Sequence, residues 1–244
     1  MSDPVLEAKG VAKVLGHGAG EVHALRGVDL SLHGGELTLL MGPSGSGKTT
    51  LLSVLGCMLA PTSGTVHVCG HPTENAGAER LAELRRNHIG FIFQSYHLFP
   101  TLTAAENIQL ALDVRGEQGE KARTRALDAL ARVGLSHKIK SYPREMSGGE
   151  QQRVAIARAI VSDPSAILAD EPTAALDSEN GQAIMGILAD IAREPGRGVL
   201  VVTHDSRLSA FADRIHHIED GRIVRVEENS ARPENLRAAA GAPR

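Results

Sequence analysis

Gly42-Pro43-Ser44-Gly45-Ser46-Gly47-Lys48-Thr49 fills the pattern G-x-x-x-x-G-K-[ST] completely. Residues of these types at this spacing bind phosphate. The glycines let the backbone wrap an anion and turn its N–H groups inward, Lys48 reaches the β and γ phosphates, and the Thr49 hydroxyl serves Mg²⁺. The apolar run Leu37-Thr38-Leu39-Leu40-Met41 precedes the loop, and a helix opening at Thr49-Thr50 follows it, its positive N-terminus facing the anion. A nucleoside triphosphate with Mg²⁺ is therefore expected on Gly42, Pro43, Ser44, Gly45, Ser46, Gly47, Lys48, Thr49 and Thr50.

Two further runs carry chemistry. Ala166-Ile167-Leu168-Ala169 is an apolar strand that ends at Asp170, where a carboxylate can order Mg²⁺. Glu171 follows at once. The alternative is a pair of acids in an ordinary strand-to-helix turn bent by Pro172. Ser147-Gly148-Gly149-Glu150-Gln151 is a second glycine-rich turn opening a second helix. One chain holds one nucleotide, so the simplest use of a second anion-ready turn is to close on the nucleotide of a partner chain. The same residues also spell the capping box S-x-x-E, which needs no ligand. A cap alone does not call for two glycines, which weaken a helix start and suit close approach of a phosphate to the backbone.

The elements that must position these residues can be read from apolar runs and breakers. Leu37–Met41, Ile89–Phe93 and Val199–Val202 read as buried strands, leading respectively into Gly42, Gln94 and Thr203-His204. Helices are expected over Thr49–Leu59, over Lys121–Val133 with Gly134 as its stop, and over Ser147–Val161, ended by Ser162-Asp163-Pro164. Ile215–Ile218 and Arg222–Val226 flank Asp220-Gly221 as a hairpin. Buried strands alternating with helices give an α/β fold with a mainly parallel sheet. The stretch from Gln94 to Ser147 is helical without a strand, an inserted helical lobe at about 95–160. Residues 1–228 are expected to form the domain. Residues 229–244, polar and alanine-rich with two prolines, are expected to be a loose tail.

At 244 residues the chain can build one such domain with its lobe, and a net charge of −3 gives no general attraction to nucleic acid. No apolar run is long enough to span a bilayer: the nearest, Val154–Ala169, is broken by Arg158, Asp163 and Pro164. The N-terminus lacks the basic-then-apolar pattern of a signal peptide. A cytoplasmic protein is expected, with Cys57 and Cys69 as buried free thiols. His67, Cys69 and His71 alternate on one strand face. They read either as a histidine-rich turn or as a metal patch lacking a fourth ligand.

These motifs in this order resemble the ATP-binding cassette (ABC) family of ATPases, from about Val5 to about Val226. The resemblance implies a P-loop NTPase (RecA-like) core, a small antiparallel β region and an inserted α-helical lobe. It implies that Glu171 polarises the attacking water and that Gln94 reports Mg²⁺ and that water to the helical lobe. His204 would contact the γ-phosphate. Ser147 and Gly149 would bind the γ-phosphate held by the other subunit. Asp177, in Ala174-Ala175-Leu176-Asp177, would belong to a loop crossing the dimer interface. The chain departs from the family pattern at Met146, Glu150 and Ala174, where leucine, glutamine and serine are commoner. It departs again at Leu15, which takes the place of an aromatic that stacks on adenine. Stacking of this kind is worth roughly 1–3 kcal/mol in nucleic-acid systems. Weaker or less selective base binding is expected unless His17 or His23 substitutes.

The implied function is the ATP-binding subunit of a transporter. Two copies would hydrolyse ATP head to tail and drive a separate membrane permease from the inner face of the cell membrane. Phe91 and Phe93 are expected in the core. Tyr96 and Phe99 either seat a cytoplasmic helix of the permease or pack beneath the helical lobe. Within the family, Met41–Lys48, Leu84-Arg85-Arg86 leading into Ile89–Gln94, and Ala169–Thr173 resemble the lipoprotein-release and macrolide-export group (LolD, MacB and FtsE types). That group implies export or extraction of a lipid-linked or amphipathic substrate. Alternatives are the ATPase of an amino-acid importer and a non-transport ABC ATPase acting on DNA or ribosomes. A GTPase or small-molecule kinase is disfavoured, since no Asn-Lys-x-Asp motif is present and neither needs the Ser147 turn.

Overall fold

The computed structural model describes residues 3–229. The chain enters as a hairpin of β1 (Leu6–Leu15) and β2 (Val22–Leu32). It continues through β3 (Leu37–Met41), helix α1 (Lys48–Leu55) and the pair β4 (Ser63–Val68) and β5 (His71–Pro72). Helix α2 (Ala78–His88) leads into β6 (Ile89–Ile92). Three α-helices follow with no strand between them: α3 (Ala104–Asp113), α4 (Gly119–Arg132) and α5 (Gly148–Ile160). The last part is β7 (Ala166–Asp170), α6 (Ser178–Ala192), β8 (Gly198–Thr203) and the hairpin β9 (Arg214–Glu219) and β10 (Arg222–Glu228).

Six strands form one sheet in the order β10-β9-β3-β8-β7-β6, parallel except for β10, which returns antiparallel to β9. A second, antiparallel sheet has the order β2-β1-β4-β5. The period-two alternation of a strand divides the core into two layers. Leu39, Ile167, Ala169, Val199 and Val201 face the helical side, with Ile108, Leu130, Ile156 and Leu188. Leu40, Leu168, Leu200 and Val202 face the other way, onto α1 and the antiparallel sheet, with Leu51, Leu55, Leu6 and Leu30. Burial on both faces is why β3 and β8 read as unbroken apolar runs.

Helices α3, α4 and α5 make up the stretch where a helical lobe was expected. The sequence reading had not marked out α3, which Thr103 caps in a reciprocal box with Glu106. Helix α1 stops at Leu55, short of Leu59, because Gly56 caps it and Cys57 turns the chain at φ +55°. The expected hairpin at Asp220-Gly221 forms with both residues left-handed (φ +44° and +75°). Cys69-Gly70 makes the same kind of turn between β4 and β5. Phe91 is half-buried and packs against the core, as expected, while Phe93 is half-buried outside it; the two rings stack at 5.6 Å. Cys57 is buried and Cys69 half-buried, and both are free. Among the described residues no three His, Cys, Asp or Glu side chains gather as a metal cluster, around His67 or elsewhere. Of the expected tail, Asn229 is held, its N–H donating to the Asp213 carbonyl at 2.8 Å; residues 230–244 lie outside the described residues.

Candidate functional site

Parallel strands deliver their C-terminal ends to one edge of the sheet, and ligands of open α/β sheets bind there. Gly42 follows β3, Gln94 stands two residues beyond β6, Asp170 ends β7, and His204 follows β8. Strand order, which the sequence does not state, thus brings four distant segments together.

A cavity of about 870 Å³ opens at this edge. Pro43, Ser44, Gly45, Gly47, Lys48, Thr49 and Thr50 line its floor; Gln94, Glu171 and His204 stand on its walls. The phosphate loop is wedged against its surroundings. A Cβ at Gly42 would collide with the Ile218 carbonyl, and one at Gly47 with the Ala24 carbonyl. Gly47 also sits at φ +102°, a conformation few side chains allow. Ser46 is buried, and its hydroxyl has no hydrogen-bond partner among the described residues.

Lys48 is only 8% exposed and donates from Nζ to the Gly42 and Pro43 carbonyls, both at 2.8 Å. Burial pulls its pKa down, and the neighbouring Glu171 and Asp170 carboxylates oppose that shift. Thr49 Oγ1 donates to Asp170 Oδ1 at 3.3 Å. Burial pushes the Asp170 carboxyl up; the Thr49 hydrogen bond counters this, the Glu171 charge adds to it, and Lys48 draws it back. Glu171 holds a left-handed backbone (φ +47°), pinned by its N–H donating to the Val202 carbonyl at 3.0 Å. Its Oε1 lies 2.7 Å from Nδ1 of His204. Strain of this kind in a non-glycine residue persists only where the surroundings impose it, and it gathers at functional sites.

Ser147, Gly149 and Asp177 do not line this cavity. Ser147 caps α5, its hydroxyl accepting from the Glu150 N–H at 3.2 Å while Glu150 Oε2 accepts from the Ser147 N–H at 2.8 Å. The capping reading is therefore met in full. Close packing also fills the room the two glycines leave: a Cβ at Gly148 would lie 2.8 Å from the Tyr96 hydroxyl, and one at Gly149 2.9 Å from Asn180 Oδ1. Asp177 caps α6, accepting from the Asn180 N–H at 2.9 Å.

At the far end of the cavity Leu15 lies across from its strand partner Val22, beside His23 and Arg26. His17 is not among the lining residues. Sequence reasoning missed Val22, Arg26 and the hairpin turn Asp220-Gly221. That turn closes onto the loop through the Gly221 N–H donating to the Ser46 carbonyl at 3.0 Å. The Asp-Gly pair was a legible turn; where it would fold was not.

The ABC transporter family matches residues 25–174. The macrolide export ATP-binding/permease protein MacB of Rhodopseudomonas palustris (strain HaA2) is 42% identical over 243 residues, covering 100% of this chain and 37% of that protein. MacB of Escherichia coli (strain K12) is 44% identical over 222 residues, covering 91% of this chain and 34% of its own length. The chain thus spans about a third of the curated relatives it matches. Among solved structures, the ATP-binding cassette MJ0796, described as a dimer in a post-hydrolysis state bound to ADP and Pi, superposes with a TM-score of 0.84 at 42% identity. That match covers 91% of this chain and 98% of the other. The cassette cbiO1 of Clostridium perfringens gives 0.83 at 28% identity, over 93% and 89% of the two chains. Phosphate loop, strand-end carboxylates, sheet order and relatives agree: this chain belongs to the ABC transporter family and is its ATP-binding, ATP-hydrolysing cassette.

Proposed function

We propose that two copies of this cassette close head to tail on two ATP molecules and drive a membrane permease that exports or extracts an amphipathic or lipid-linked substrate. The observation that carries this reading is the separation of two anion-ready turns. The phosphate loop, Glu171 and His204 share one cavity, while the Ser147 turn stands outside it. Ser147 and Gly149 then have a phosphate to meet only on a second chain. The dimeric form named for MJ0796 supports this, and the fused permease named in the MacB relatives supports a membrane partner. Among the described residues no helix is long and apolar enough to cross a membrane, and the cassette would work on the membrane-spanning segment or chain from the inner face of the cell membrane.

Within one site, Lys48 neutralises β and γ phosphate oxygens and the loop N–H groups hold them. Glu171 takes the proton of the attacking water, and His204, bonded to its carboxylate, sets the carboxylate's direction. Mg²⁺ fits the oxygen donors present: the Thr49 hydroxyl and the Asp170 carboxylate are 3.3 Å apart, and Gln94 lines the cavity together with Thr49. Thr49, Asp170 and Gln94 would hold it, and it would supply charge neutralisation to the phosphates. The base would lie toward Leu15 and Val22, an aliphatic contact with less stacking energy than an aromatic ring, with His23 as the ring available to substitute. Phe99, 49% exposed, offers the permease an apolar contact, whereas Tyr96 is half-buried against Gly148.

Glu171→Gln tests the reading. It is expected to bind ATP, lose hydrolysis by at least about a hundredfold, and accumulate as an ATP-dependent dimer on gel filtration. Hydrolysis at the wild-type rate would rule out Glu171 as the base.

A further inference from the structure

The segment after Gln94 holds an unusual backbone. Tyr96 and His97 are consecutive non-glycine residues in the left-handed region, at φ +57° and +49°. L-residues adopt this conformation reluctantly, and two in succession need an external hold. One side chain grips both residues at once. Arg158, on α5, donates from Nη2 to the Tyr96 carbonyl at 2.8 Å and from Nη1 to the His97 carbonyl at 2.5 Å.

Arg158 is half-buried, and among the described residues no carboxylate pairs with it. A guanidinium taken from water without an acid must be satisfied by well-placed acceptors. Here those acceptors are two carbonyls, and the planar fork meets each with a separate nitrogen in a fixed geometry, where a lysine offers one nitrogen on a shorter stem. The same turn is closed ahead of Tyr96, whose N–H donates to the Phe93 carbonyl at 3.2 Å, and the His97 ring stacks on Phe93 at 4.7 Å. Gln94 lies inside this turn.

The other end of Tyr96 completes the connection. Its hydroxyl occupies the space that a Cβ at Gly148 would need. Gly148 is the first residue of α5 and Arg158 lies ten residues on, about 15 Å along the axis. Helical side chains lean toward the N-terminus. Arg158 therefore reaches back and Tyr96 reaches forward, and together they cover that distance. The Gln94 turn lies along α5 and is fastened near both ends.

We propose that Arg158 is a positioning residue for Gln94: by bridging the Tyr96 and His97 carbonyls it locks the Gln94 turn onto α5, so that Gln94 and the Ser147 turn keep a fixed relation. A shift of α5 then carries Gln94 with it. The proposal rests on the ATP-hydrolysing reading of the cavity.

Arg158→Lys, which keeps the charge and loses the fork, is the decisive variant, with the purified full chain assayed beside wild type. The expected result is a thermal midpoint within a few degrees of wild type, a KM for ATP within threefold, and kcat at least fivefold lower. Amide hydrogen exchange should quicken at residues 95–99 while remaining unchanged in α5. Unaltered kcat, a loss confined to KM, or unaltered exchange at residues 95–99 would overturn the proposal. A variant that fails to fold would overturn it too, by assigning Arg158 to stability alone. A wild-type chain without ATPase activity would instead overturn the underlying reading of the cavity, which separates the two failures.

Discussion

Lys48, Asp170 and Glu171 form a small charge system whose members depend on one another. Burial disfavours the charged form of Lys48 and of Asp170, and each is partly compensated by the other. A single buried histidine outside the site has no such compensation. His216 on β9 is 5% exposed, and neither ring nitrogen has a hydrogen-bond partner among the described residues. Burial, with Arg214 and His217 nearby, lowers its pKa from 6.5 to about 4. The folded protein therefore binds this proton less readily than the unfolded chain. Stability is full above pH 6.5 and falls as the pH drops toward 4, by on the order of 3 kcal/mol. Urea titrations between pH 7 and 4 should show this loss for wild type and a flatter profile for His216→Leu. An equal slope in both would remove His216 as the cause.

At the scale of elements, the site depends on how closely α5 approaches β6. Gly90 makes that approach possible, since a Cβ there would lie 2.5 Å from the Ala159 carbonyl, on the backbone of α5. Backbone cannot step aside as a flexible side chain can. Gly90→Ala is expected to cost roughly 1–3 kcal/mol in denaturant unfolding, and wild-type stability would contradict the packing described. This proximity was not legible in the sequence, where Ile89-Gly90-Phe91-Ile92 reads as a strand whatever lies beside it. The start of α5 was legible, since its S-x-x-E box is fixed by local geometry; the same kind of reciprocal cap at Thr103 was there to be read and was passed over.

For the whole molecule, the proposed closure of the Ser147 turn on a partner's nucleotide would make activity a property of two chains. Lys48→Ala should lose nucleotide binding, and Ser147→Arg should block closure on the partner's phosphate. Neither alone should hydrolyse ATP. A mixture should recover part of the wild-type rate, because a heterodimer assembles one site with an intact loop and an intact opposing turn. Absence of recovery in a mixture shown to form heterodimers would argue against shared sites. Ser147→Arg also removes a cap, so its melting temperature must be measured alongside; a cap is worth about 1 kcal/mol, too little to abolish folding.

Local rules were enough to read the phosphate loop, the buried parallel strands, the Asp220-Gly221 turn and the start of α5, because each depends on residues a few positions apart. The antiparallel region was implied by the family resemblance alone; its strands escaped local reading because β1 and β2 carry register shifts that blur the two-residue period, and because β5 is only two residues long. Tertiary structure alone decided which strand ends lie together, that Tyr96 packs on Gly148 rather than facing outward, and that the Asp220-Gly221 turn closes on Ser46. These are contacts between segments far apart in the chain, and their partners are chosen by sheet order and shape rather than by any neighbour in sequence.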